Sequence, residues 1–169
     1  DLADPDHCAA VIGVTTADVI INAAAYTGVD QAETDTAMAE TVNHTAVAAM
    51  AKAAADRDIP FLHISTDYVF PGGGTEPWNT DAKTGPLGVY GATKLRGEQA
   101  VVDAGGRYAI LRTSWVFSAH GNNFVKTMLR LGKERDALTI VGDQIGGPTA
   151  AADIAATLLD MARAIVEDD

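Results

Sequence analysis

The feature that most constrains this chain is an alternation of two patterns: short apolar runs rich in Val, Ile, Leu and Phe, and longer alanine-rich stretches of helical period. Residues 18–22 (Asp-Val-Ile-Ile-Asn), 60–65 (Pro-Phe-Leu-His-Ile-Ser) and 107–113 read as strands of a parallel sheet, because each is an apolar run entered from a turn. Helices are expected over residues 4–14, about 35–58, 86–104, 122–135 and 149–167, with a further short strand at 138–141. Asp4 would cap the first helix and Pro5 would occupy its first position. Strand–helix alternation throughout predicts an α/β fold: a doubly wound, Rossmann-like parallel sheet with helices on both faces. The loop 71–85, punctuated by Gly and Pro, is the one long connection, and such a loop in a compact domain suggests an active-site rim.

Sheets of this kind bind ligands beyond the carboxyl ends of their strands. Chemistry is therefore to be sought in residues 22–27, 65–68 and 113–117. Partners are narrowed by charge. Twelve Lys and Arg against 23 Asp and Glu leave a net charge of −11, which disfavours nucleic acid and anionic membranes. The 169 residues suffice for one domain with a real core. Cys8 is the single cysteine, so no intramolecular disulfide can form. The opening Asp1-Leu2-Ala3-Asp4-Pro5 has no signal-peptide character, and no apolar run is long enough for a bilayer. A cytoplasmic protein is expected. The sequon Asn43-His44-Thr45 has no meaning without secretion. His7, His44, His63 and His120 show no metal-ligand spacing, and His63 on a strand reads as a satisfied core histidine.

Tyr90 and Lys94 stand at i and i+4, on one face of a helix. A free phenol, with a pKa of about 10, is a poor acid or base near neutrality. A neighbouring ammonium would favour the phenolate, and such a tyrosine could give a proton to a carbonyl oxygen. The spacing alone is commonplace, and a surface tyrosine beside a solvated lysine is the blander reading. Its context sharpens it. Ser65-Thr66-Asp67-Tyr68 ends the preceding strand and could aim a hydroxyl at the same carbonyl. Asn22-Ala23-Ala24-Ala25-Tyr26-Thr27 ends the strand before that with three small side chains, which let a flat cofactor approach the backbone. The alternatives are a turn-initiating Thr66 and tight strand–helix packing at the alanines.

The strings Val19-Ile20-Ile21-Asn22-Ala23-Ala24-Ala25-Tyr26-Thr27, Ser65-Thr66-Asp67-Tyr68-Val69-Phe70, Val89-Tyr90-Gly91 with Thr93-Lys94-Leu95, and Leu111-Arg112-Thr113-Ser114-Trp115-Val116-Phe117 resemble the dTDP-4-dehydrorhamnose reductase family. So do Asn123-Phe124-Val125, Asp143-Gln144 and Gly147-Pro148-Thr149. That family lies within the extended short-chain dehydrogenase/reductases. The resemblance implies reduction of the C4 keto group of dTDP-4-dehydro-L-rhamnose to dTDP-L-rhamnose, with NADPH or NADH as hydride donor. It implies Tyr90 as proton donor, Lys94 on the nicotinamide ribose and Thr66 as the group polarising the carbonyl. Thr66, Asp67 and Trp115 would contact the sugar nucleotide. Ala25, Tyr26 and Thr27 would line the dinucleotide, with Asp1 and Leu2 beside its adenine. Asn43 would be a helix asparagine that helps hold a water near the lysine; a core-facing asparagine is the equal alternative. Mg2+ and a homodimer enter by resemblance alone, without a carboxylate cluster or surface signal to support them.

The family's first strand and glycine-rich phosphate turn are not matched here. The resemblance thus implies a partial Rossmann-like nucleotide-binding domain over residues 1–169, lacking the first βα unit and the C-terminal substrate lobe. Such a piece is expected to bind nicotinamide cofactor poorly and to turn over little or nothing. Two other functions stay open. Dehydratases and epimerases of the same superfamily share the fold, but the dehydratases place a second acid after the Asp that follows the threonine. Here Asp67 is followed by Tyr68. A non-catalytic binding or regulatory fragment is the third reading, weighed against by the intact Thr66, Tyr90 and Lys94.

Overall fold

The computed structural model describes residues 1–167. Three strands, β1 (Ile20–Asn22), β2 (Phe61–Thr66) and β3 (Tyr108–Thr113), form one parallel sheet in the order β1-β2-β3. Its register pairs Ile20 with Phe61 and Asn22 with His63, then Phe61 with Tyr108 and Thr66 with Thr113. Helix α1 (Pro5–Val14) begins where Asp4 Oδ1 accepts the N–H of His7 at 3.0 Å and proline takes a first-turn position that needs no donor. After β1 come a short α2 (Val29–Ala32), then α3 (Thr36–Glu40), a π-helical turn at Thr41–Thr45, and α4 (Ala46–Ala55). The expected helix over 35–58 is thus broken by a wider turn.

Helix α5 (Val89–Ala104) follows the 71–85 loop and starts three residues later than expected. Its N-terminus is capped from a distance, because Glu33 Oε1 accepts the N–H of Val89 at 2.7 Å. Gly105, at φ 71°, ends it in a backbone conformation that costs glycine little. Helix α6 (Phe124–Glu134) is capped by Asn123, and α7 (Ala151–Glu167) closes the described chain.

One expected strand is not there. Residues 138–141 form no strand, and Ile140 and Val141 are exposed. A lone apolar run has no ladder to join, and strand structure requires a partner. The pairing falls instead between β4 (Val116–Phe117) and β5 (Thr149–Ala150), so the segment at 149–167 opens as strand and turns helical only at Ala151.

Both faces of the main sheet are covered. Phe61 packs with Val47, Met50 and Ala54 of α4, Ile12 of α1 and Val101 of α5. Leu62, pointing the other way, packs with Ile154, Leu158 and Ala162 of α7. The doubly wound arrangement is therefore as the alternation predicted. It brings the carboxyl ends of β1 and β2 beside the first turns of α5. Among the described residues, no helix is long and apolar enough to cross a membrane.

Candidate active site

Thr66 is the last residue of β2 and is buried. Its Oγ1 accepts the N–H of Tyr68 at 3.2 Å and donates to Asp67 Oδ1, also at 3.2 Å, so the hydroxyl is fixed by the turn that follows it. Tyr90 lies in the first turn of α5, half-buried, with its ring edge-on to Tyr68 at 5.5 Å. Burial raises the Tyr90 pKa above the ordinary phenol; the Thr66 hydroxyl acts the other way, and Asp67 and Tyr68 add to the rise. Asp67 is likewise pushed up by burial, against hydrogen bonds from Thr66 and the backbone.

One turn further along α5, Lys94 is only 2% exposed. Its Nζ donates to the carbonyl oxygen of Ile64 at 2.6 Å and lies 3.2 Å from His63 Nε2. The helical spacing predicts an ammonium that lowers the phenol, and the structure corrects this. The Lys94 head is engaged by β2, burial dominates at Tyr90, and the phenol is held as an acid. Lys94 itself is pushed down to about 8 by burial, against the pull of Glu98.

A second group of contacts ties β1 to α5. Asn43, fully buried in the π-helical turn, accepts the N–H of Tyr26 at 2.8 Å and donates to the Tyr26 carbonyl at 3.1 Å. The same amide donates to Thr93 Oγ1 at 3.1 Å, and Thr93 in turn donates to the Tyr90 carbonyl at 2.9 Å. Of the two readings open for Asn43, its contacts match the core-facing one. A π-helical turn redirects side chains that a regular helix would carry past their target. The Tyr26 hydroxyl donates to Asp35 at 3.1 Å.

The outer side of the site is braced by Arg112 on β3. It grips Glu98 of α5 through two hydrogen bonds of 2.9 and 2.6 Å, donates to the Thr80 carbonyl at 3.1 Å, and lies 5.0 Å from the Phe70 ring centre. Phe70 stacks on Trp78, so the 71–85 loop is tied to the site's scaffold.

The structure therefore gathers Thr66, Asp67, Tyr90 and Lys94 at one sheet end, with Ala25 and Tyr26 fastened nearby through Asn43. Thr27 is exposed beyond them. Leu2 packs against the α1–α4 cluster, and the Asp1 carbonyl accepts from Asp4 and Cys8. Trp115, on the link from β3 to β4, is 46% exposed at φ 46°, a left-handed conformation that costs a bulky residue on the order of 1 kcal/mol. Its segment is held by Ser114 Oγ donating to the Gly147 carbonyl at 2.7 Å.

Sequence reasoning gave no role to His63, Thr93 or the Glu98–Arg112 pair. Strand alternation alone puts 61, 63 and 65 on one face, which was the available signal for His63. The residues present suit a nicotinamide nucleotide. Ala23, Ala24 and Ala25 offer no side chain beyond a methyl, and Ala23 and Ala24 are exposed. Lys94 is buried, and among the described residues its hydrogen-bond partners are the Ile64 carbonyl and His63 Nε2. Among the described residues, no three His, Cys, Asp or Glu side chains come together to hold a metal ion, so nothing supports the magnesium implied by resemblance.

The chain is similar to several known proteins. The chain is 50% identical over 151 residues to the dTDP-4-dehydrorhamnose reductase of Salmonella typhimurium, matching 89% of this chain and 50% of that protein. It is 46% identical over 166 residues to that of Aggregatibacter actinomycetemcomitans, matching 98% of this chain and 56% of that one. The crystal structure of the Bacillus anthracis dTDP-4-dehydrorhamnose reductase in complex with NADP superposes with a TM-score of 0.92 at 39% identity, covering 98% of this chain and 59% of that one. The chain thus spans about half the length of the curated relatives it matches. The model of the RmlD substrate binding domain matches residues 1–169, and the chain belongs to that family.

Proposed function

We propose that this chain carries the proton-transfer site of a nicotinamide-dependent nucleotide-sugar carbonyl reductase. The substrate is dTDP-4-dehydro-L-rhamnose, and the product, dTDP-L-rhamnose, feeds cell-surface polysaccharide synthesis. The carrying observation is the convergence of Thr66, Tyr90 and Lys94 at the carboxyl end of β2. Support comes from the relatives, which are named dTDP-4-dehydrorhamnose reductases, one of them solved with NADP. The turn after Thr66 carries one acid, Asp67, and then Tyr68, which favours reduction over dehydration.

In this reading Tyr90, kept protonated by burial, donates its proton to the C4 oxygen as charge develops there. Thr66 donates to the same oxygen, giving up its bond to Asp67 for one to the substrate. Lys94 holds the nicotinamide ribose, and Ala25, Tyr26 and Thr27 line the dinucleotide, with Asp1 and Leu2 toward its adenine. NADPH or NADH, when bound, supplies the hydride. Asp67 and Trp115 face the sugar nucleotide. A cytoplasmic location and a homodimer belong to the same reading, by family likeness.

The test is NADPH oxidation in the presence of dTDP-4-dehydrorhamnose, made in a protein that carries this chain together with the first βα unit and the C-terminal lobe of the family. Tyr90→Phe is expected to lower the rate by about 10²- to 10⁴-fold with the fold intact, and Thr66→Val by about 10²-fold. Undiminished turnover in Tyr90→Phe overturns the mechanism.

A further inference from the structure

Behind the reacting face, five polar groups, drawn from β1 and the residues after it, from β2 and from α5, form a line. Ala24 donates its N–H to Asn22 Oδ1 at 3.2 Å. Asn22 Nδ2 lies 3.1 Å from His63 Nδ1, and His63 Nε2 lies 3.2 Å from Lys94 Nζ. Lys94 Nζ donates to the Ile64 carbonyl at 2.6 Å. Asn22, His63 and Lys94 are 5%, 0% and 2% exposed, so bulk water has poor access to their polar atoms.

The direction of every bond in this line is fixed by chemistry. A backbone N–H can only donate, so the Asn22 atom facing Ala24 is its oxygen. The atom facing His63 is then the amide nitrogen, which also only donates. His63 Nδ1 must therefore accept. A doubly protonated ring would set both of its N–H groups against donors, and burial, the larger cause, pushes the His63 pKa down to about 3, so the ring is neutral and carries its single proton on Nε2. That proton points at Lys94. An ammonium has no lone pair and would oppose it, donor against donor. An uncharged amine accepts from Nε2–H and still donates to Ile64.

Other groups around Lys94 do not remove the conflict. Glu98, on its own helix, favours the charged form but is gripped by Arg112. Asp67 and Tyr68, in the turn after β2, act on Tyr90. Tyr90 itself is neutral, and from the middle of β2 the titratable group facing Lys94 is His63.

We propose that Asn22 and His63 form a polarity switch for Lys94. With the line as it stands, which is the state on the alkaline side of the Lys94 midpoint, Lys94 is an uncharged amine. For Lys94 to take a proton, His63 must move its own proton from Nε2 to Nδ1 and Asn22 must turn its amide, which breaks the bond to Ala24. Lys94 then gains one proton from solvent, and the imidazole keeps one proton throughout. The charge of the lysine is thereby coupled to the backbone of Ala23–Ala25, the small-residue tract that follows β1. Both residues are positioning residues that act through Lys94. The catalytic meaning of this switch rests on the reductase reading, but its test uses neither substrate nor cofactor, so each can fail separately.

The test is nuclear magnetic resonance on the chain with nitrogen-labelled histidine and lysine. Above the Lys94 midpoint, His63 should show the Nε2–H tautomer. As pH falls through that midpoint, near 8, the ring should change to Nδ1–H without gaining charge, and the Ala24 amide should shift with the same midpoint. Asn22→Asp, which can only accept, should lock the Nδ1–H tautomer and raise the Lys94 midpoint by about one pH unit, a tenfold change in proton affinity. Lys94→Met should leave His63 as Nε2–H at every pH above its own titration. A His63 tautomer that stays fixed in the wild-type chain while Lys94 titrates overturns the proposal. So does an Asn22→Asp variant that folds with an unmoved Lys94 midpoint.

Discussion

A single amide, that of Asn43, carries the join between the β1 crevice and the helix that bears Tyr90. Its oxygen and nitrogen serve the Tyr26 backbone at both ends and Thr93 as well, from full burial. Removing it leaves a backbone N–H, a carbonyl and a hydroxyl short of partners where water has poor access. Asn43→Ala is expected to cost about 2–4 kcal/mol, read as a shift of the urea unfolding curve at unchanged slope. A change below about 0.5 kcal/mol would show that the join holds without it. The sequence places Asn43 on a helix and leaves open what it faces. The answer depends on the π-helical turn at Thr41–Thr45, which rotates the following residues and has no composition mark. Tyr90, Lys94 and Thr66 were legible because strand ends and helical spacing put them together. That Lys94 turns inward to Ile64 and His63 was not, because it follows from how far α5 sinks onto β2.

Helix α5 sinks that far because Gly97 lets it. A Cβ built on Gly97 would overlap the carbonyl oxygen of Asn43, in the π-helical turn across the interface. In a helix interior with open space, alanine in place of glycine stabilises by up to about 1 kcal/mol. At Gly97 the clash outweighs propensity, and Gly97→Ala is expected to destabilise by about 1–3 kcal/mol. Gly132, within α6, meets nothing within 4 Å, and Gly132→Ala should stabilise. Opposite signs for the two substitutions, compared by thermal unfolding, are the expected outcome, and two stabilising changes would deny the close approach. The remote cap adds a third check. Glu33→Gln keeps an acceptor for Val89 but loses the charge at the helix N-terminus, for a loss of about 0.5 kcal/mol. Elements were legible where a strong local signal marked them, as with the Asp4–Pro5 start of α1 and the apolar run of β2. The strand expected at 138–141 failed because apolar and β-branched residues state a preference that only a neighbouring strand can satisfy. The pairing at β4 and β5 is two residues long on each side, below what any periodicity can signal.

At the scale of the whole molecule, burying His63 and Lys94 makes stability depend on pH in two separate windows. The unfolded imidazole titrates at 6.5 and the folded one at about 3, so between those values the unfolded chain binds the extra proton. Stability must then fall as pH drops from 6.5 toward 3, by roughly 1.4 kcal/mol per pH unit from this one group. Lys94 obeys the same rule higher up. Its ordinary value of 10.5 is lowered to about 8, so the unfolded chain again binds more protons and stability rises with pH across that interval. Two carboxyl groups also act on the acid limb. Glu40, lowered chiefly by Arg96, adds to the acid loss, whereas Asp67, raised by burial, gives some back. The net charge of −11 also favours mild acid, since protonating carboxylates relieves self-repulsion. That repulsion acts between exposed charges and is largely screened beyond about 8 Å at physiological salt. The buried imidazole is not screened, so its effect should dominate there. His63→Gln, which can hydrogen-bond but not titrate, is expected to flatten the acid limb of the stability profile while leaving the alkaline rise. Lys94→Met should do the reverse. Urea unfolding of the three proteins across both windows, at fixed salt, checks the assignment. An acid limb equally steep in His63→Gln would place the responsible proton elsewhere in the molecule.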